Sequence, residues 1–213
     1  MNVIIFGSPG AGKGTQSHNL SKKFNLYQVS TGALLRNEIK NKTEIGNEIE
    51  KIIAEGDFAT DDIVNKLLKK IITNPLYRNR IIFDGYPRNI SQAKTLDQIL
   101  DEDNQSISYI FYLNVNREIT EKRIIGRITC ENCNKTFNEY FDKEILNNHD
   151  CGEKFLKKRK DDNKEAVMTR YDTYMKKTEP VLRFYSSKSY FHEIDGNQKI
   201  DVITGKIEQI LTV

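Results

Sequence analysis

The chain has 213 residues, 38% hydrophobic and 30% charged, with 33 Lys and Arg against 30 Asp and Glu for a net charge of +3. That length suits one large domain or a core with insertions, and the near balance of charge creates no demand for a nucleic-acid or membrane partner. No apolar run is long enough to span a bilayer. The first residues, Met1-Asn2-Val3-Ile4-Ile5-Phe6-Gly7, lack the basic start and small-residue cleavage site of a signal peptide. Three cysteines, an odd number, argue against a secreted disulfide scaffold, so a cytoplasmic location is expected.

The apolar run 2–6 shows no alternation, as in a strand buried on both faces, and it ends at Gly7. A glycine-rich turn follows, and a helix beginning near Gly14 carries Leu20 and Phe24 on one face. Tyr27-Gln28-Val29 reads as a short strand. Ser30-Thr31 reads as the cap of a helix over 32–40. A helix over 44–55 stops at Gly56. Asp61-Asp62 opens another, whose apolar face is Ile63, Leu67, Leu68, Ile71 and Ile72. The run 80–84 is a strand closed by Gly85 and Pro87, 91–100 a helix, 107–115 a strand and 118–126 a helix.

Residues 129–158 are polar, cysteine-bearing and poor in apolar periodicity, and read as a small inserted unit. A long helix over 163–187, interrupted or kinked by Pro180, precedes a strand at 190–195 and a last helix at 202–211. Strands alternating with helices imply an α/β fold with a parallel sheet covered on both faces.

Gly7-Ser8-Pro9-Gly10-Ala11-Gly12-Lys13 fits the G-x-x-x-x-G-K pattern of a phosphate-binding loop. Its glycines let backbone N–H groups face an anion, the helix N-terminus adds partial positive charge, and Lys13 reaches the outer phosphates. Gly14 stands where the generic pattern has Ser or Thr, with Thr15 one residue later. Asp84, at the C-terminal end of a buried strand, suits the Mg²⁺–water shell of a nucleotide site. Against a Lys-rich surface, Arg36, Arg88, Arg123, Arg127, Arg159 and Arg170 stand in contexts where guanidinium forks suit phosphoryl oxygens. Arg78, Arg80, Arg117 and Arg183 read as solvated surface. His18 and His192 read as structural.

These motifs, with Ser30-Thr31-Gly32, Leu35-Arg36, Asp84-Gly85-Tyr86-Pro87-Arg88, Gln92, Arg123-Ile124-Ile125-Gly126-Arg127, Arg159-Lys160-Asp161-Asp162-Asn163 and Asp195-Gly196, resemble the adenylate kinase family in its long bacterial form. The match runs nearly end to end, and the displaced Thr15 is normal for that family. The resemblance implies a P-loop NTPase-type five-stranded parallel sheet flanked by helices. It divides the chain into a core (1–29, 60–125 and 163–213), an inserted helical AMP-binding segment (30–59) and a lid (126–162).

It also implies reversible, Mg²⁺-dependent phosphoryl transfer from ATP to AMP, giving two ADP, by a monomer. For ATP it points to Gly10, Ala11, Gly12, Lys13, Gly14, Thr15, Arg123, Arg127, Thr136, Phe137 and the carbonyl of Gln198. For AMP it points to Thr31, Arg36, Asp57, Phe58, Ala59, Gly85, Tyr86, Pro87, Arg88 and Gln92, with Arg159 and Arg170 bridging both substrates. Lys13, Arg88, Arg123, Arg159 and Arg170 are the expected catalytic groups, and a cis Tyr86–Pro87 peptide is implied. The alternatives are GTP as donor or another nucleoside monophosphate as acceptor. A nucleotide-gated switch lacks its Asn-Lys-x-Asp motif here, and a zinc-ribbon nucleic-acid binder lacks a basic face with aromatics.

Cys130-Glu131-Asn132-Cys133 has metal-ligand spacing. Many lids of this family carry a second Cys-x-x-Cys, or a variant with Asp, where this chain has Asn148-His149-Asp150-Cys151. Cys151 fits the second cysteine, and His149 or Asp150 replaces the first. Cys130, Cys133, His149 and Cys151 are the expected structural zinc set. A metal-free insert packed on Phe137, Tyr140, Phe141 and Phe155 is the alternative.

Overall fold

The computed structural model describes residues 1–54, 59–133, 135–158 and 162–212. Strand β1 (Asn2–Gly7) is followed by helix α1 (Lys13–Lys23), β2 (Tyr27–Ser30), α2 (Thr31–Lys40), α3 (Glu44–Ala54) and α4 (Asp61–Ile72). Then come β3 (Ile81–Asp84), α5 (Ile90–Glu102), β4 (Ile107–Asn114) and α6 (Arg117–Ile125). The inserted unit holds β5 (Arg127–Cys130), β6 (Thr136–Asn138), α7 (Lys143–Asn147) and β7 (Leu156–Lys157). The chain returns through α8 (Lys164–Thr173), a π-helical turn (Tyr174–Thr178), α9 (Glu179–Tyr185), β8 (Phe191–Asp195) and α10 (Ile200–Leu211).

Five strands form one parallel sheet in the order β2-β3-β1-β4-β8. Every residue of β1 is buried, and parity divides its side chains between two cores. Ile4 and Phe6 pack with Leu68, Phe83, Leu96 and Tyr185, while Val3 and Ile5 pack with Leu20, Phe111, Leu113, Ile203 and Ile207. Each such fully buried side chain contributes about 1.5–3 kcal/mol, so helices on both faces are needed to hold the central strand in place. The one polar residue of β1, Asn2, is satisfied: its amide donates to Gln105 Oε1 and the Ser106 carbonyl, and its Oδ1 accepts from Ile81 N–H.

Because the sheet is parallel, Gly7, Ser30, Asp84 and Asn114 all end strands at the same edge. Ser30 stands opposite Asp84, Ile5 opposite Asp84, and Gly7 opposite Leu113. In sequence, β1 is followed by β2 and β3 on one side and by β4 and β8 on the other. The loop after β1 therefore lies at the switch point, where open α/β sheets place their ligands.

Three expectations change. The long helix over 163–187 is two helices joined by a π-helical turn, with Pro180 in the first turn of α9. Proline lacks an N–H and its ring crowds the carbonyl four residues back. The wider turn just upstream accommodates both. The inserted unit contains a three-stranded antiparallel sheet, β6-β5-β7, whose strands of two to four residues are too short to show alternation. Finally, Tyr140 and Phe141 do not form an apolar core there: they are 54% and 60% exposed, while Phe137 and Cys130 are buried. Among the described residues, no helix is long and apolar enough to cross a membrane.

Candidate functional site

The glycine loop curls at the end of β1. Gly10 and Gly12 have φ of 82° and 94°, and a Cβ on Gly10 would lie 2.5 Å from the Thr120 carbonyl oxygen, so α6 seats directly against the loop. Ala11 N–H closes a turn onto the Ser8 carbonyl. Helix α1 then starts with no side-chain cap and no acidic residue in its first turn, which leaves the positive end of its dipole to the loop. Lys13 Nζ donates to the carbonyls of Gly7 at 2.8 Å and Ser8 at 2.9 Å. Burial beneath the loop depresses the ammonium to about 8; Asp84 works against that shift, while Arg88 and Arg127 add to it.

Asp84 faces the first turn of α1, where a Cβ on Gly14 would lie 3.4 Å from its Oδ2. Gln28 Nε2 donates to that same oxygen at 3.3 Å. The strand then turns through Gly85 and a cis Tyr86–Pro87 peptide. Thr31 Oγ1 donates to the Gly85 carbonyl, rather than capping α2, and Ser30 makes no side-chain cap bond either. Arg88 donates through Nε to the Gly85 carbonyl at 2.8 Å and through Nη2 to Thr31 Oγ1 at 3.2 Å. The Arg88 N–H donates to Gln92 Oε1 at 2.7 Å. Thr31, Gly85, Arg88 and Gln92 are thus one hydrogen-bonded group. The Tyr86 ring is buried in the core, and its hydroxyl lies 2.7 Å from Asn65 Oδ1 and 3.2 Å from the Gln92 carbonyl, within donating distance of either.

Arg123 Nη1 donates to the carbonyls of Gly196 and Ala11, joining α6 to the loop after β8 and to the glycine turn. Arg127 grips Asp162 with two bonds, Nε at 2.8 Å and Nη2 at 2.5 Å, and Arg170 Nη1 reaches the same carboxylate at 3.3 Å. The Asp162 side chain is only 2% exposed. Solvent reaches Arg36 and Arg88, yet protein encloses their guanidinium groups closely enough that desolvation lowers both pKa values. Arg36 feels Arg127, Asp162 and Asp84. For Arg170, desolvation is joined by repulsion from Arg127, Arg88 and Arg36. Charged groups from four separate segments therefore lie within electrostatic reach of one another, and Arg88 and Arg127 within reach of Lys13.

Other expected residues sit around this cleft. Thr15 is half-buried in α1. Ala59 packs on the hydrophobic core. Thr136 is exposed at the start of β6, and Phe137 lies edge-on to the His149 ring at 4.8 Å. The Gln198 side chain turns back to donate to Asp195 Oδ2. Asp57, Phe58 and Arg159 lie outside the described residues. Of the arginines read as solvated surface, Arg117 lies over the Tyr171 ring at 4.8 Å.

Beyond the cleft, the ligand atoms of Cys130, Cys133, His149 and Cys151 all lie within 4.8 Å of one another, with Cys133 Sγ 3.4 Å from His149 Nε2. A tetrahedral zinc with bonds of about 2.0–2.3 Å holds its ligand atoms roughly 3.3–3.8 Å apart, a spacing that Cys133 and His149 already have, while the wider pairs, within 4.8 Å, would close in on the ion. Asp150 is not part of the group. Burial raises the Cys130 thiol, but hydrogen bonds from the Cys133 and Asn132 backbone, the His149 ring and the Cys133 side chain outweigh it and lower its pKa.

Comparison with known proteins agrees with this geometry. A family model described as adenylate kinase matches residues 5–190. An adenylate kinase of Pelagibacter ubique is 59% identical over the whole of both chains. Adenylate kinases of Novosphingobium aromaticivorans and Listeria innocua are 37% and 34% identical, each over 99% of both chains. The chain belongs to the adenylate kinase family. It is accordingly an enzyme, a nucleoside monophosphate kinase that converts ATP and AMP to two ADP.

Within this adenylate kinase fold, Asp162 was not singled out from the sequence as a site residue. It sits in an Asp-Asp pair beside a basic run, where a solvated hinge is the ordinary reading, and only the structure shows two guanidinium groups on it. Asp162→Asn removes one charge from that cluster and breaks a bidentate pair. The ligand-free protein is expected to lose about 1–3 kcal/mol of stability. Inorganic triphosphate should restore more stability to the variant than it adds to the wild type, as calorimetric melting would show. An unchanged melting midpoint would contradict this assignment.

Proposed function

We propose that ATP lies along Gly10, Ala11, Gly12, Lys13, Gly14 and Thr15, with Arg123 and Arg127 on its phosphates. Its adenine would lie near Thr136, Phe137 and the Gln198 carbonyl. AMP lies against Thr31, Arg36, Asp57, Phe58, Ala59, Gly85, Tyr86, Pro87, Arg88 and Gln92. Arg170, with Arg159, bridges the two phosphate groups. In this reading residues 30–59 are the AMP-binding segment, 126–162 the lid, and the remainder the core. The observation that carries it is the convergence of Lys13, Arg36, Arg88, Arg127 and Arg170 on one cleft at the strand ends.

Phosphoryl transfer between nucleotides needs in-line positioning, charge neutralisation and exclusion of water. Lys13 and the arginines supply the first two. Closure of the lid, which carries Arg127, supplies the third. No general base is required, because the attacking AMP phosphate is already anionic. The Asp84 carboxylate, lightly held by Gln28, has the hard oxygen chemistry that suits the water shell of Mg²⁺. Bound with ATP, Mg²⁺ would neutralise charge on the phosphate oxygens. Donation by GTP, or transfer to another acceptor, is not favoured.

Coupled assays of ADP formation are expected to give AMP a higher kcat/KM than CMP, UMP or GMP. Arg88→Ala should cost about 3–4 kcal/mol of transition-state stabilisation while the protein stays folded. A variant within a few-fold of wild type would rule out this role for Arg88.

We also read the chain as a cytoplasmic monomer whose lid holds structural Zn²⁺ through Cys130, Cys133, His149 and Cys151. Few apolar groups in that unit are buried, and a metal would fix its shape without a larger core. Native mass spectrometry should show a single chain with about one zinc, lost in Cys130→Ser. Purified protein with full activity and no metal would leave the metal-free alternative.

A further inference from the structure

Asp61 opens α4 directly after the proposed AMP-binding segment, and nothing in the sequence marks it as more than a first-turn acid, where carboxylates are favoured. In the structure it faces α5. Its Oδ1 accepts from Gln92 Nε2 at 2.6 Å, and both its oxygens accept from Asn89 Nδ2, at 3.2 and 3.0 Å. Asn89 in turn caps α5, its Oδ1 accepting from the Gln92 N–H at 2.8 Å. Gln92 itself is 5% exposed, so its amide has little freedom to turn.

An amide side chain carries two donors and two acceptor lone pairs, and its two ends are told apart by their partners. Here the partners leave no ambiguity. The Arg88 N–H can only donate, so it must meet Gln92 Oε1. Both Asp61 oxygens already act as acceptors, toward Asn89 Nδ2, so the end of the Gln92 amide that meets Asp61 is the donor Nε2. A flipped amide would set donor against donor and acceptor against acceptor. What remains for a ligand is one N–H and one lone pair, in a fixed order.

Adenine offers an amino donor beside a ring-nitrogen acceptor. Hypoxanthine puts a carbonyl acceptor where adenine has the amino group, and its neighbouring ring nitrogen carries a proton. An amide pinned in one orientation matches only one of these patterns, and a mismatched buried polar pair is strongly rejected. We propose that Asp61 is a specificity-determining positioning residue: with the Arg88 N–H it locks the Gln92 amide in the orientation that accepts adenine and rejects a 6-oxopurine. This rests on the reading that Gln92 meets the AMP base.

The test compares AMP with IMP as acceptor at saturating ATP, in wild type, Asp61→Ala, Asp61→Ser, Asp61→Asn and Gln92→Ala. Serine suits a helix start but is too short to reach Gln92, which guards against simple loss of fold in the alanine variant. In Asp61→Ala and Asp61→Ser the AMP-to-IMP ratio of kcat/KM should fall at least about tenfold, chiefly through KM for AMP, with KM for ATP unchanged. Asp61→Asn, which keeps an oxygen acceptor, should retain most of the ratio. A purely structural role would lower kcat for both acceptors and leave the ratio alone. If the ratio stays within about twofold of wild type in the alanine and serine variants while Gln92→Ala loses it, Asp61 does not set the orientation. If Gln92→Ala also keeps the ratio, Gln92 does not read the base and the inference falls with that reading.

Discussion

Positive charge concentrated in one cleft is the constraint on which the rest of the structure depends. Lys13 lies beneath the glycine loop with its ammonium on two carbonyls, and Arg36, Arg88, Arg127 and Arg170 approach from α2, the turn after β3, β5 and α8. Two like charges about 4 Å apart at an effective dielectric of 20 repel by roughly 4 kcal/mol. Asp84 and Asp162 offset part of that, and Asp162 does so with bonds to both Arg127 and Arg170. The balance favours an anion with several oxygens, which is what two nucleotide phosphate chains supply. The parallel sheet serves this end by delivering Gly7, Ser30 and Asp84 to one edge. The close seat of Gly10 against α6 fixes the loop to the helix that carries Arg123.

Much of this was legible in the sequence because the signals were local. The unbroken apolar run of β1 announced a central strand, and Gly7 through Lys13 announced a phosphate loop whose spacing has a mechanical reason. Scarce arginines in special contexts marked Arg36, Arg88, Arg123, Arg127, Arg159 and Arg170; in the structure Arg36, Arg88, Arg127 and Arg170 act on one another's charge, Arg123 joins the glycine turn, and Arg159 lies outside the described residues. The cysteine spacing with His149 pointed to a cluster whose ligand atoms do lie together.

What the sequence hid depended on tertiary geometry. The strands of the inserted unit are too short for a period to appear, and its exposed Tyr140 and Phe141 imitate a core they do not form. The π-helical turn ahead of Pro180 reflects how a long helix absorbs a missing N–H, not a pattern of side chains. Asp61 and Asp162 looked like ordinary surface acids. Each acquires its role from partners tens of residues away in the chain, at Gln92 and at Arg127. Polar partnerships of this kind leave no periodic trace.

The state of Lys13 tests the central claim most directly. Desolvation holds its free-enzyme pKa near 8, and phosphate oxygens beside it would raise that value. Between the two values, binding must take up a proton, so ATP affinity should fall as pH rises above 8. Calorimetric titration of ATP with Mg²⁺ at about pH 8.5, in two buffers of different ionisation enthalpy, measures this uptake. A net uptake in wild type that disappears in Lys13→Met is the predicted result. Binding with no proton uptake, or the same pH dependence in both proteins, would contradict the account.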